Sequence, residues 1–425
     1  MFLLIAVLIV GKTNEVFKIM REIYMDNAAT TQLDSKVLRK MLLYLKREYG
    51  NPSSMHDKGI IAKNAISSAR KKTADILNCK PEEIIFTGSG TESDNLAIFG
   101  YARKNKHKGN HIITTKIEHH AVLDCFKMLK KEGFKVTFLD VDKDGFVDLE
   151  QLKNSITSKT ILVSIIYANN EIGTVQDIPK IAEICHKKQA VLHTDACQAA
   201  NYLEIDVKKL GVDMMTLNGS KIYGPKGVGV LFKKSDIEIE PIIFGGGQEK
   251  GLRSGTENVA NIIGFAEALE RVRRNLVKEV EKLTFLRDYM INELLKIPDS
   301  RLNGPRKNRL PNNVNISFLN IEGESAALLL NEEGIFISTG SACSSKDLDP
   351  SHVIMAIGCP AEVAHSSLRF SLGKDICRRD VDYVIKKTKK VVSHLRNMSP
   401  LHYKLQEQVK QRKDDDCTLI KEDFE

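Results

Sequence analysis

Between about residues 80 and 235, short runs rich in apolar and β-branched residues alternate with stretches whose apolar positions recur every three or four residues. Glu83–Phe86 reads as a strand, Thr87–Thr91 as a tight turn and Glu92–Arg103 as a helix. His111–Thr115 and Lys135–Leu139 are strand-like. Between them His120–Lys131 is helical, with Val122, Cys125, Phe126 and Leu129 on one face. Ile161–Tyr167 has the length and composition of a fully buried strand. Ile178–Lys188 follows as a helix, and Ala190–Thr194, Met214–Leu217 and Val228–Phe232 complete the series. Strands alternating with helices predict an α/β architecture built on a mostly parallel sheet with right-handed crossovers.

Beyond the sheet pattern, Glu267–Leu295 predicts one long bridging helix. Asn312–Phe318 then reads as a strand, Gly323–Glu332 as a helix and Arg379–Arg396 as a last helix. The tail from about Tyr403, with its KQRKDDD run, is too polar to bury. At the other end, Phe2–Val10 is an unbroken apolar run, too short to span a bilayer, which takes about 20 residues. It also lacks the basic flank and cleavage site of a secretory signal. It reads as an added strand or helix, or as an upstream extension that is not translated; a membrane anchor is the alternative.

Composition narrows the classes. The chain has 425 residues, enough for two or three domains, and a net charge of +8 scattered over its length. Charge this dispersed argues against direct nucleic-acid recognition, which needs a basic face. The eight cysteines include no CxxC pair, no zinc-ligand spacing and no disulfide framework. Unpatterned thiols in a large chain suit a reducing, cytoplasmic compartment.

Three features carry chemistry. Asp195 closes a predicted strand, and Lys221 follows another in Leu217-Asn218-Gly219-Ser220-Lys221; ligands of open parallel sheets bind at such ends. Singly, these residues fit a helix cap and a surface lysine. Together they fit a pyridoxal 5'-phosphate (PLP) site, where an amine holds the cofactor and a carboxylate faces its ring nitrogen. Thr87-Gly88-Ser89-Gly90-Thr91-Glu92, between a strand and a helix, suits a phosphate, or else a plain helix cap. It matches neither a P-loop nor GxGxxG. Finally, Cys343 sits among small residues in Ser338-Thr339-Gly340-Ser341-Ala342-Cys343-Ser344-Ser345, a context for a reacting thiol as much as for an ordinary loop.

From Tyr24 to about Leu401 the chain resembles the NifS/IscS-like cysteine desulfurases, fold-type I PLP enzymes. The matching stretches include Tyr24-Met25-Asp26-Asn27-Ala28-Ala29-Thr30-Thr31, Gly50-Asn51-Pro52-Ser53-Ser54, Thr91-Glu92-Ser93-Asp94-Asn95-Leu96 and Glu118-His119. They continue with Asn169-Asn170-Glu171-Ile172-Gly173, Asp195-Ala196-Cys197-Gln198, Lys221–Gly227, Gly245-Gly246-Gly247 and Arg253-Ser254-Gly255-Thr256. The last are Gly340-Ser341-Ala342-Cys343 and Ser366-Ser367-Leu368-Arg369-Phe370-Ser371. The resemblance implies that Lys221 is the Schiff-base lysine, Asp195 the partner of the ring nitrogen, and His119 the residue stacked on the ring with a share in proton transfer. It places Asn170 and Gln198 at the phenolic oxygen. Gly90, Thr91, Asn218 and Ser220 fall at the phosphate, together with Thr256 from a second subunit. Arg369 becomes the clamp on the substrate carboxylate, with Asn170 nearby, and Cys343 the sulfur acceptor. No metal is implied in the PLP site, though Cys343 stays open to transient ligation of an iron–sulfur cluster.

The expected reaction converts L-cysteine to alanine and leaves a persulfide on Cys343. Its destinations would be an iron–sulfur scaffold protein, tRNA thiolation, or both. The expected architecture is a large PLP-binding domain over 35–280, with a smaller α/β domain of 20–34 and 281–401, between an apolar extension (1–19) and a polar tail (402–425); the implied assembly is a homodimer. Two departures stand out. Asn218 and Ser220 replace a hydroxyl and an imidazole found in many relatives, and the tail after Leu401 diverges. The first bears on cofactor affinity, the second on partner choice. A PLP enzyme for selenocysteine, an aminotransferase, and a catalytically silent scaffold are the rival readings.

Overall fold

The computed structural model describes residues 22–339 and 349–398, and the fold that follows is that of these residues. The apolar run Phe2–Val10, the polar tail and Cys343 lie outside them. After β1 (Ile23–Tyr24) come β2 (Ile84–Thr87), β3 (His111–Thr115), β4 (Lys135–Leu139), β5 (Thr160–Ser164), β6 (Val191–Asp195), β7 (Met214–Asn218) and β8 (Gly229–Lys233). Strands β2 to β8 form a seven-stranded sheet in the order β2-β8-β7-β6-β5-β3-β4. Neighbours from β7 through β4 are parallel, whereas β8 runs antiparallel to both β7 and β2. Every residue of β3 and β5 is buried, as strands of a parallel sheet covered on both faces are.

Helices α1 (Ser35–Lys46), α2 (Asp57–Leu77), α3 (Gly90–Lys104), α4 (His120–Lys131), α5 (Leu149–Ser155), α6 (Ile178–Lys187), α7 (Val207–Leu210) and α8 (Val259–Arg274) accompany this sheet. On one side Leu96, Val122, Phe126 and Leu129 of α3 and α4 close over Ile85, Ile112 and Leu162. A larger cluster joins the other side to the rest of the chain.

That remainder comprises α9 (Leu276–Leu294), β9 (Ser300–Leu302), β10 (Asn313–Phe318), α10 (Gly323–Glu332), β11 (Ile335–Phe336), β12 (Ser338–Thr339), α11 (His352–Ala356), α12 (Ala361–His365), β13 (Ser367–Ser371) and α13 (Arg378–Met398). An antiparallel sheet runs β12-β13-β10-β9, and β1 pairs in parallel with β11. Asp26 then bridges to Ser371, so the N-terminal segment is sewn to a strand some 340 residues away.

Two expectations need correcting. The stretch 267–295 is not one helix: the chain breaks at Asn275, which ends α8 in a non-helical conformation after the cluster Arg271, Arg273 and Arg274. And Ile161–Tyr167 is regular strand only to Ser164. Beyond it, Ile165 N and Tyr167 N still donate to His193 O and Asp195 O, carrying the chain alongside β6 to the sheet edge.

Candidate active site

The carboxyl ends of β2, β3, β5, β6 and β7 lie on one edge of the sheet, and the chain leaving each delivers a functional side chain there. After β7, Asn218 caps a single 3₁₀ turn, its Oδ1 accepting from Ser220 N at 3.2 Å and Ser220 Oγ at 3.3 Å. The turn ends on Lys221, whose Nζ donates to Ala28 O at 2.8 Å and also to Ala29 O. Two residues later Tyr223 adopts φ 59°, a left-handed conformation that costs a side chain about 1 kcal/mol or more. Its N–H donates to Thr31 Oγ1 at 2.8 Å, and its hydroxyl accepts from Lys374 N at 2.8 Å. These bonds hold the turn that aims Lys221.

Asp195 ends β6, buried, with Oδ1 accepting from Cys197 N at 2.9 Å. Gln198 Nε2 donates to Ala28 O at 2.8 Å, so it converges with Lys221 on one carbonyl. His119 caps α4: its Nδ1 accepts from Ala121 N at 3.1 Å, which puts the ring proton on Nε2. Burial lowers its pKa and favours this neutral form. Arg369, on β13, is 2% exposed; Nη2 donates to Asp26 Oδ1 at 2.9 Å and Nη1 to Asn170 O at 3.3 Å. Its Nε, buried, has no partner among the described residues.

Lys221, Asp195, Gln198, His119, Asn170, Gly90, Thr91, Asn218 and Arg369 all line one cavity of about 230 Å³. Ser220 stands beside it, bonded to Asn218. Thr256 does not reach it: it lines a separate cavity with Gly88, Arg253 and Gly255. Sequence reasoning gave no role to Asp94, which also faces the cavity, nor to Asp26 and the Ala28 and Ala29 carbonyls. Asp94 had a legible signal, since it lies four residues after Gly90 and shares its helix face.

Burial around Asp195 favours the neutral forms of its titratable neighbours. Burial, reinforced by the Asp195 carboxylate, drives the Asp94 pKa well above the usual range. Glu118 is pushed by burial to about 8, while accepting from Thr115 Oγ1 at 2.6 Å and Ile166 N at 3.0 Å. His193, between Ser164 and Thr216 hydroxyls, is lowered by burial to about 4. These neutral neighbours leave Asp195 without a competing negative charge. Cys197, half-buried beside it on the cavity wall, has its thiol raised well above the ordinary value, chiefly by burial, which disfavours the thiolate a nucleophile needs.

The donor set fits PLP. The N-terminus of α3 opens on the cavity at Gly90, where a Cβ would stand 2.7 Å from Cys197 Sγ and 3.3 Å from Asn218 Nδ2; only glycine leaves this cradle open. A helix N-terminus attracts a phosphate, a carboxylate answers a ring nitrogen, and a lysine amine answers an aldehyde. Among the described residues, no helix is long and apolar enough to cross a membrane, and no cluster of three His, Cys, Asp or Glu side chains has metal-binding geometry.

Residues 23–384 match the family model for class-V aminotransferases. The chain belongs to that family, fold-type I PLP enzymes with an α/β, mostly parallel sheet. The cysteine desulfurase IscS of Clostridium botulinum is 50% identical over 384 residues, covering 90% of this chain and 97% of that protein. IscS of Methanosarcina thermophila is 50% identical over 381 residues, 90% of this chain and 94% of its own length. A solved NifS-like protein superimposes with TM-score 0.84 at 38% identity, over 88% of this chain and all of that one. A structure titled SspA in complex with cysteine gives TM-score 0.74 at 35% identity, over 83% and 99%. Within the class-V family, this chain is a PLP-dependent cysteine desulfurase.

Proposed function

We propose that Lys221, Asp195, His119 and Arg369 are the working residues of the desulfurase reaction and that Cys343 receives the sulfur. The observation that carries the reading is their convergence on one cavity at the sheet edge, with Asn170 beside Arg369. PLP, when bound, supplies the electron sink that labilises bonds around the substrate α-carbon. Asp195 would answer its ring nitrogen, His119 would stack on the ring, and Asn170 and Gln198 would serve the phenolic oxygen. Gly90, Thr91, Asn218 and Ser220 would hold its phosphate. Arg369 orients the substrate carboxylate, for which a planar guanidinium with a spare N–H is suited. The Lys221 amine takes the α-proton and returns it, while His119, neutral with its hydrogen on Nε2, donates a hydrogen bond from that nitrogen inside the cavity. Cys343 thiolate forms an S–S bond as the substrate C–S bond breaks. The electron pair goes to the carbon skeleton, which takes a proton and leaves as alanine. L-cysteine plus thiol gives alanine plus persulfide, so no outside oxidant is needed.

Cysteine as the bound amino acid accords with the SspA complex. A homodimer is supported by Thr256, which sits outside its own chain's cofactor cavity where it would serve a partner's, and by exposed Leu45, Tyr49, Met55 and Phe244. We place the enzyme in the cytoplasm, passing sulfur to an iron–sulfur scaffold or a tRNA-thiolation acceptor. The test is L-cysteine turnover by the holoenzyme beside K221A and C343S, scoring alanine and sulfide. Wild type should make both; C343S should keep the cofactor absorbance and make neither. Full turnover by C343S would remove Cys343 from the reaction.

A further inference from the structure

Arg369 heads the fully buried side chains of the fold by size. A guanidinium keeps its charge at any ordinary pH, so enclosing one calls for a counter-charge. Among the described residues that is Asp26, whose Oδ1 accepts from Nη2 at 2.9 Å, the one ion pair Arg369 makes there. Arg369 cannot retreat from it, because β13 holds it inside a sheet, in register with Asn315 on one side and Ser338 on the other. Asp26 is fixed too. It bridges to Ser371 of β13, and its carbonyl accepts from Ala29 N at 3.1 Å, Thr30 N at 3.3 Å and the Tyr24 hydroxyl at 3.0 Å.

The two partners differ in where they stand. Arg369 lines the cofactor cavity with its Nε unpartnered, whereas Asp26 is not on the cavity wall. A carboxylate arriving through the cavity therefore meets a guanidinium already neutralised from behind, and the two carboxylates repel each other across it. Glu171, the other acid that feels the Arg369 charge, is buried and pushed up to about 7, with Oε2 accepting from Ser351 Oγ, which makes it the weaker counter-charge. The repulsion from Asp26 is nearly the same for L-cysteine and for alanine, since both carry one carboxylate on the same α-carbon. It weakens uniform binding and leaves the chemical step alone.

We infer that Asp26 sets the affinity of the Arg369 clamp: it holds the guanidinium in place while cancelling enough of its charge for alanine to leave. Asp26 stands off the cavity wall and acts through Arg369, as a positioning residue. The inference rests on Arg369 being the carboxylate clamp.

The experiment titrates holoenzyme with L-alanine and, separately, with L-alaninamide, which lacks the carboxylate, and follows the cofactor absorbance. In D26N an amide oxygen still accepts from Arg369 but the negative charge is gone. Its removal should tighten L-alanine about tenfold or more and leave L-alaninamide within about twofold of wild type. In turnover, KM for L-cysteine should fall, kcat should not rise, and alanine should inhibit more strongly. D26S, neutral but smaller, should move L-alanine in the same direction and stands in if D26N does not fold. Unchanged or weaker L-alanine binding, or equal shifts for both ligands, would overturn the inference and leave Asp26 as a support of the fold alone. R369Q is run alongside and should bind the two ligands nearly alike. A preference for L-alanine kept at its wild-type size in R369Q would instead sink the clamp reading, and this inference with it.

Discussion

At the scale of single residues, the buried acids are the part of the site that sequence conceals. Asp195 and Lys221 announce themselves at strand ends and Asp94 by its spacing from Gly90, but the protonation of Asp94 and Glu118 is set by what closes over them. The same holds for Asp26, whose role beside Arg369 depends on a contact across 343 positions. Glu118 makes a testable case. Its folded pKa of about 8 stands above the 4.5 of an ordinary glutamate, so the folded state binds a proton more tightly than the unfolded one. Its contribution is therefore complete below about pH 4.5 and is lost as pH rises through about 8. Asp195 faces it through space, and the Thr115 hydroxyl and Ile166 N–H lie against it. Glu118→Gln should flatten the fall in melting temperature between about pH 6 and about pH 9. Identical slopes for the two proteins would show that Glu118 ionises freely in the fold.

Elements were legible where burial imposes a strict pattern. His111–Thr115 and His120–Lys131 have in the structure the limits their sequence suggests, because β3 is buried along its whole length and α4 buries the single face of Val122, Cys125, Phe126 and Leu129. Strand direction is another matter. Nothing in the alternation of β8 tells that it runs against both neighbours, since a side-chain pattern is the same read in either sense. The break at Asn275 escaped because apolar residues continue on both sides of it. Helix α4 shows how an element serves the site from behind. Val122, Phe126 and Leu129 press it onto the sheet, while its first turn is capped by His119. Phe126→Ala, at a fully enclosed position, should cost about 3–5 kcal/mol and lower the melting temperature of the holoenzyme by several degrees. A melting temperature within a degree or so of wild type would mean that the surrounding side chains collapse into the space.

For the whole molecule, the exposed apolar residues around α1 are the feature that a single chain leaves unexplained. Leu42 and Leu45 stand on the helix with Tyr49 and Met55 beyond it, and Met55 is 95% exposed. A patch of this kind on a water-facing surface marks an interface. If the proposed homodimer forms through this patch, Leu45→Asp with Met55→Asp should shift the protein toward monomer in sedimentation velocity and weaken cofactor retention. An unaltered sedimentation coefficient would remove this patch as its interface. The fold also carries its own timetable. Asp26 is among the first described residues to leave the ribosome, and Arg369 is among the last. The sheet that clasps them joins both ends of the chain, and pairings so distant in sequence are slow to form. During synthesis the seven-stranded sheet can therefore be complete while β13 and Arg369 are still missing, so the cavity stays open on the Asp26 side until that strand has been made and has paired.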